Sequence, residues 1–86
     1  MMTIIRVIWD DEENGNVGHI AEHGYSIEEV EHVLSDFHYE GVSKSSGYPF
    51  VIGFLPDGRR VGVAFIRIDE ISVLPVTAFD ADNYKN

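Results

Sequence analysis

Residues 24–37, with the sequence GYSIEEVEHVLSDF, constrain the fold more than any other stretch, because they mark both the start and the buried side of a helix. Ser26 and Glu29 have the spacing of a capping box, in which each side chain bonds a free backbone amide of the first turn. Tyr25 and Val30 occupy the positions of a hydrophobic staple around this cap. The stretch therefore predicts an amphipathic helix whose apolar side consists of Ile27, Val30, Val33, Leu34 and Phe37.

The region before this helix predicts a strand followed by a weaker helix. Thr3–Trp9 is rich in β-branched and aromatic residues, which favour strands. Asp10 or Asp11 can cap the start of the next helix, and Asp10 and Glu13 have the spacing of a capping box. That helix would extend to His23, although two internal glycines each cost about 1 kcal/mol relative to alanine. Gly24 is typical of the left-handed position that ends a helix.

The pattern changes after Asp36 from helical spacing to the alternation of strands. Turn signals, such as the Pro-Asp-Gly of residues 56–58, separate the strand predictions. Pro75 lies within the last of them, which predicts either an edge strand or a β-bulge at that point. The predicted strands are Tyr39–Ser43, Tyr48–Leu55, Arg59–Ile68 and Ile71–Phe79.

The order of these elements predicts an α+β protein. One strand and two helices precede an antiparallel sheet of three to four strands, and the helices lie on one side of the sheet. With 86 residues the chain has room for one domain, so we assign residues 1–86 to a single unit. No run has the length of a membrane span, and the N-terminus lacks the features of a signal peptide. We therefore expect a cytoplasmic protein.

The charge balance argues against nucleic-acid binding by the chain as a whole. Fifteen Asp and Glu residues stand against six Lys and Arg residues, which gives a formal net charge of −9. Because nucleic-acid affinity comes largely from cations that meet phosphates, this chain should repel a phosphate backbone. A basic protein partner, or self-association of so small a domain, fits the composition better. The chain has no cysteine, which excludes disulfides and thiolate chemistry.

His19 and His23 are the first candidate functional residues. They are four positions apart, so a helix presents them on one side. The zinc-binding His-Glu-x-x-His motif has the same spacing, but here Glu22 precedes the second histidine and no third ligand is evident. Two interpretations stay open: a pair of metal ligands, or histidines that the dipole favours at a helix C-terminus. The second is the commoner case, and the sequence predicts neither a bound metal nor another cofactor.

Arg59, Arg60 and Arg67 are half of the six cations, and they flank one predicted strand. Because side chains alternate along a strand, Arg59 and Arg67 fall on one face and Arg60 on the other. One interpretation is that these arginines reach water at the strand ends. The alternative is an edge that binds phosphate through planar guanidinium groups.

Residues 9–36 resemble the beginning of the BrnT family of bacterial toxins, and a looser similarity continues through residues 51–65 and 71–81. The shared elements are a Trp-Asp after a short strand, an Asn-x-x-His that leads into a His-Gly, and a second helix with Glu-Glu that ends near an aspartate. The resemblance implies a RelE-like fold, a toxin–antitoxin context and RNA cleavage without a metal. In this sequence the matching residues are Trp9-Asp10, Asn16, His19, His23-Gly24, Glu28-Glu29 and Asp36.

Several cations of the resembled family are replaced in this chain. Glu22 stands where BrnT-like toxins commonly have lysine, and Phe79 stands where they commonly have arginine. A ribonuclease of this type uses cations to hold the phosphate and to stabilise the charge that develops in the transition state. Arg59, Arg60 and Arg67, with His19 or His23 as general acid or base, are what remains for that work.

Three hypotheses follow. The first, which we favour, is a BrnT-like domain with a degenerate nuclease site that binds another protein, such as a cognate basic antitoxin. The second is an active, metal-independent endoribonuclease that cleaves mRNA, with Arg59 and Arg67 at the phosphate. His19 or His23 would then serve as general acid or base. The third is a metal-binding module built on the same two histidines. RNA is a partner only under the second hypothesis, and no membrane is involved in any of them.

Overall fold

The structure, a computed structural model, describes residues 4–82. Both expected helices are present, as α1 (Asn16–Glu22) and α2 (Ile27–Ser35). Neither has the length or the apolar character that crossing a membrane requires. The strands of this part of the chain are β1 (Arg6–Val7), β2 (Tyr39–Val42), β3 (Pro49–Phe54), β4 (Arg60–Arg67) and β5 (Ser72–Asp80).

The strands form one mixed sheet in the order β1-β5-β4-β3-β2. The last four strands of the chain pair antiparallel, as predicted, whereas β1 pairs parallel with β5 over two positions. The predicted first strand began at Thr3, which lies outside the described residues, and it ends at Val7 rather than at Trp9. The α+β class is confirmed, and β1 makes the sheet five-stranded and mixed.

The start of α2 agrees with the sequence prediction. Ser26 Oγ accepts a hydrogen bond from the Glu29 amide at 3.1 Å, and the Glu29 carboxylate accepts one from the Ser26 amide at 3.0 Å. The helix ends at Ser35, so Phe37 packs against the core from beyond the helix rather than from within it. The fully buried residues of α2, which pack towards β3 and β4, are Val30, Val33 and Leu34.

The start of α1 differs from the prediction. The helix begins at Asn16, and its N-cap is Gly15, which has no side chain to cap with. The Asp10 carboxylate instead accepts a hydrogen bond from the Glu12 amide at 3.0 Å, within the preceding loop. A Cβ at Gly15 would overlap Asp10, so this close approach requires glycine. The predicted capping box of Asp10 and Glu13 is therefore wrong.

Two apolar clusters lie on opposite faces of the sheet. The larger cluster joins Ile20 of α1 and the buried residues of α2 to β3, β4 and β5, which confirms that the two helices share one face. The second cluster lies on the other face, and its members come from the strands and from the residue after β5. We call this side of the sheet the open face; its cluster consists of Tyr39, Phe50, Ile52, Ala64, Phe79 and Ala81.

A β-bulge interrupts the pairing of β4 with β5. Ala64 pairs with Thr77, but the next residue, Phe65, pairs with Pro75, so Val76 is the extra residue. The bulge beside Pro75 confirms one of the two predicted possibilities. The other was an edge strand, which is wrong because β5 lies between β1 and β4.

The bulge decides which end of β5 reaches the open face. Val73 belongs to the core on the helix side. Strict alternation would place Thr77 and Phe79 on that same side. The extra residue reverses the alternation, so Phe79 joins the open face.

Candidate functional site

The open face forms the floor of a cleft with a volume of about 910 Å³. Small residues of β4 lie beside aromatic residues of the neighbouring strands: Ala64 pairs with Phe50, and Gly62 pairs with Phe79. A Cβ at Gly62 would overlap the Phe79 ring, so glycine lets this ring lie flat on the floor. The cleft is lined by His19, His23, Tyr39, Val42, Ser43, Lys44, Ser45, Ser46, Tyr48, Phe50, Ala64, Val76, Thr77 and Phe79.

His19 and His23 form one wall of this cleft. His19 lies in α1, His23 is the C-cap residue, and Gly24 follows with a φ of +90°, as predicted for the helix end. The two imidazole rings meet edge to face with their centroids 4.9 Å apart, which confirms that they share one side. Both residues are exposed, and within residues 4–82 neither ring has a hydrogen bond or an ion pair. The part of the fold that the structure describes therefore makes no use of their ring nitrogens.

Asn16, by contrast, has a structural role. Its side-chain amide donates hydrogen bonds to the carbonyls of Ile8 at 3.0 Å and Pro75 at 2.9 Å. Its side-chain oxygen accepts a hydrogen bond from the Asp10 amide at 2.8 Å. One side chain thus joins the end of β1, the start of α1 and the bulge of β5.

Trp9 also holds elements together rather than lining the cleft. Its indole Nε1 donates a hydrogen bond to Glu31 Oε2 at 2.9 Å, which links the end of β1 to α2. The tryptophan and the asparagine of the BrnT-like pattern are thus explained by folding. The two histidines of the pattern remain without such an explanation.

Arg59 lies in the turn between β3 and β4 and pairs with two carboxylates. Its guanidinium donates to Asp57 Oδ2 at 2.8 Å and also to Glu29. These hydrogen bonds, first the one to Asp57 and then the one to Glu29, raise the pKa of Arg59. The hydrogen bond that the backbone amide of Arg59 donates to the Asp57 carboxylate is the main cause of the lowered pKa of Asp57. Because one cation meets two anions, Arg59 offers no free positive charge to a phosphate.

Arg60 and Arg67 are also bound to the protein's own oxygen atoms. Arg60 donates to the Ala81 carbonyl at 2.8 Å, and Arg67 donates to the Glu70 carbonyl at 2.6 Å. None of the three arginines lines the cleft. Arg59 and Arg67 lie eight residues apart on an extended chain. At roughly 3.3 Å per residue, their backbones are separated by about 26 Å. The structure thus brings His19 and His23 together, but it does not place Arg59 or Arg67 in the cleft that the two histidines line.

The charges around the cleft are unevenly distributed. Among the described residues that line it, Lys44 is the one Lys or Arg, and it lies in the serine-rich turn between β2 and β3. The surface on the other side of His19 is acidic. That neighbouring hollow is lined by Asp11, Glu12, Glu13, Asn14, Gly15, Gly18, His19 and Glu22.

Other possible metal ligands lie apart from the histidine pair. His38 stacks on Phe54 with ring centroids 5.0 Å apart, and neither it nor Glu40 lines the cleft. Within residues 4–82, no group of three His, Asp or Glu side chains is placed to hold a metal ion. Any metal at His19 and His23 would therefore have two protein ligands from this part of the chain.

The aromatic floor of the cleft was missed in the sequence analysis. Its signal was the alternation in β4, where the small residues Gly62 and Ala64 face away from the larger Val61, Val63 and Phe65. Small residues on one face indicate that large neighbours lie over them. The identity of those neighbours depends on strand register, which the sequence did not define.

The chain was compared with protein-family models, with curated proteins and with solved structures. No family model matches it, and neither a curated protein nor a solved structure shows significant similarity. The resemblance to BrnT-like toxins is therefore an expectation from the motif in residues 9–36 and the looser similarity of residues 51–65 and 71–81.

Proposed function

We propose that this chain is a divergent BrnT-like domain of RelE-like fold that acts in a toxin–antitoxin type of system by binding a protein, and that its nuclease site is degenerate. The observation that carries the proposal is the state of the arginines. Arg59, Arg60 and Arg67 all donate to oxygen atoms of the protein itself, which leaves Lys44 as the cation of the cleft within the described residues.

The floor of the cleft supports the loss of a phosphate site. Phe79 stands where BrnT-like toxins commonly have arginine, and it packs edge to face on Phe50 with ring centroids 6.0 Å apart. If the resemblance holds at this position, an aromatic ring takes the place of a cation. Lys44 would then be the one Lys or Arg of the described cleft lining that could stabilise the negative charge of a phosphoryl transition state. The order of strand, helices and antiparallel strands agrees with the RelE-like arrangement that the resemblance implies.

The apolar surface around the cleft supports protein binding. Val42 is 66% exposed and Tyr48 is 38% exposed, and both line the cleft beside its aromatic floor. Exposed apolar surface with a polar rim is typical of protein interaction sites. The acidic surface beside His19 and the net charge of −9 favour a partner with basic residues around an apolar anchor.

The proposal is tested by co-purification and calorimetry with the product of the neighbouring reading frame. Val42→Asp places a charge on the exposed rim of the cleft, and we expect it to weaken binding at least tenfold. Ile5→Asp is the matched control, because Ile5 is 71% exposed, does not line the cleft and precedes β1, at the opposite edge of the sheet from β2. A chain that stays monomeric and binds no partner would contradict the proposal, as would equal effects of the two variants.

A second function, cleavage of RNA, is favoured by the histidine pair itself. Two free imidazoles lie beside Lys44 and aromatic rings on which bases can stack. An active ribonuclease should arrest growth and shorten transcripts when it is induced. His19→Ala and His23→Ala should abolish both effects, whereas Arg67→Ala, which lies outside the cleft, should not. Unchanged growth and intact transcripts on induction of the parent chain would exclude this function in that host.

A further inference from the structure

We propose that His19 and His23 form an open site for a divalent transition-metal ion of the zinc and copper class, in which each imidazole contributes one nitrogen. The proposal is independent of the function proposed above, because it needs neither a protein partner nor RNA. Imidazole nitrogen is a preferred ligand for both metals.

The separation of the two rings suits a shared metal ion. With metal–nitrogen bonds of about 2.0 Å and about 1.1 Å from nitrogen to ring centre, each centroid would lie about 3.1 Å from the metal. Angles at the metal between those of square-planar and tetrahedral coordination then require centroid separations of about 4.4 to 5.1 Å. The observed separation of 4.9 Å lies within this range.

The two imidazoles are also free to bind. Both residues are exposed, and no hydrogen bond or ion pair within residues 4–82 has to be broken before a metal can bind. His23 caps the C-terminal end of α1, where unpaired carbonyl groups favour positive charge. The acidic residues beside His19, among them Glu22, add to the attraction of a cation.

The remaining coordination positions define the kind of site. Since the described residues supply no third His, Asp or Glu ligand, the ion keeps at least two positions for water or for a donor from a bound molecule. Both histidines line the cleft, so these positions adjoin the space that a ligand would occupy. An open site of this kind binds its metal reversibly and takes up further ligands, unlike a closed structural zinc site.

The test is a titration of the untagged chain with zinc chloride by calorimetry, in a buffer that does not chelate. We expect one zinc ion per chain. Removing either ligand, by His19→Ala or His23→Ala, should weaken binding at least tenfold, because the second imidazole then no longer binds within the same molecule. The double variant His32→Ala/His38→Ala removes the other two histidines of the chain and keeps His19 and His23. Its affinity for zinc should equal that of the parent.

A matched variant separates the geometry from the number of histidines. Ala21→His combined with His23→Ala keeps four histidines but places the second one two positions from His19, on a different side of the helix. We expect this variant to lose the same affinity as His23→Ala. Circular dichroism should confirm that these exposed substitutions leave the fold intact.

Electron paramagnetic resonance with copper(II) provides a second readout. We expect the spectrum of the parent chain to show two equivalent nitrogen ligands, and the spectrum of His19→Ala to lose that pattern. Absence of zinc binding by the parent chain at about 100 µM metal, the tight end of the range for extracellular calcium sites, would overturn the proposal. Equal affinity in His19→Ala, or in the variant with shifted spacing, would also overturn it.

Discussion

Arg59 and Glu29 form an ion pair across 30 positions of sequence, and the same Glu29 carboxylate closes the capping box of α2. The pair joins the turn between β3 and β4 to the first turn of the helix. It also occupies the guanidinium that a phosphate site would need. Glu29 thus contributes both to the cap of α2 and to the contact between this helix and the turn.

Replacing Glu29 should change how stability depends on pH. The pKa of Glu29 is lowered, first by the hydrogen bond from the Ser26 amide and then by Arg59. A carboxyl group whose pKa is lowered by folding stabilises the folded state at every pH above its pKa in the unfolded chain, here 4.5. That stabilisation is lost as the pH falls through the lowered pKa of the folded state. Glu29→Gln should therefore reduce the free energy of unfolding near neutral pH, by up to about 1 kcal/mol for such a partly exposed pair.

Urea unfolding at several pH values measures this effect. The stability curves of the parent and of Glu29→Gln should converge as the pH falls below 4.5 and through the lowered pKa of Glu29. Glu28→Gln serves as the control, because Glu28 is exposed on the same turn and has no ion pair within the described residues. Curves that stay parallel for Glu29→Gln would show that the pairing contributes nothing.

Asn16 should be among the residues to which stability is most sensitive. Asn16→Ala leaves the carbonyls of Ile8 and Pro75 without their donor, and we expect a loss of about 1–3 kcal/mol in the free energy of unfolding. Asn16→Asp keeps the size but replaces the donating amide by a carboxylate oxygen, so it should be at least as destabilising. Chemical denaturation measures both. A loss below that of the surface substitution Glu13→Gln would contradict the structural role.

Two glycines near α1 should respond in opposite ways to alanine. Gly18 lies within the helix with open space around it, so Gly18→Ala should raise the free energy of unfolding by about 0.5–1 kcal/mol. Gly15→Ala should lower it by about 1–3 kcal/mol, because the new Cβ would overlap Asp10. Thermal unfolding of the two variants measures the difference. A change of the same sign in both would contradict the packing of the loop on α1.

The parts of the fold that the sequence predicted are those with local causes. The position of α2 follows from the capping box of Ser26 and Glu29, which spans four residues, and from the helical spacing of the apolar residues that come after it. The turn that ends α1 follows from Gly24 and its positive φ. Such features depend on neighbours along the chain, so a single sequence is enough to indicate them.

The parts that the sequence did not predict depend on distant contacts. α1 begins where Asn16 reaches the carbonyl of Pro75, 59 positions away, and not where an acidic residue has capping-box spacing. The site shows the same limit. The spacing of His19 and His23 is enough to predict that they lie on one side of α1. The aromatic floor of the cleft depends instead on the register of the sheet and on one extra residue in β5. The sequence left open whether the arginines reach water at the strand ends or bind phosphate, and in the fold they contact oxygen atoms of the protein itself.

The most direct test of the central claim measures binding of a short fluorescent oligoribonucleotide to the isolated chain by anisotropy, at low and at physiological salt. Because the arginines are bound to the protein's own oxygen atoms and the net charge is −9, we expect no binding at micromolar protein and no cleavage at either salt concentration. Tight binding that weakens steeply with added salt, accompanied by cleavage that His23→Ala abolishes, would contradict the claim that the nuclease site is degenerate.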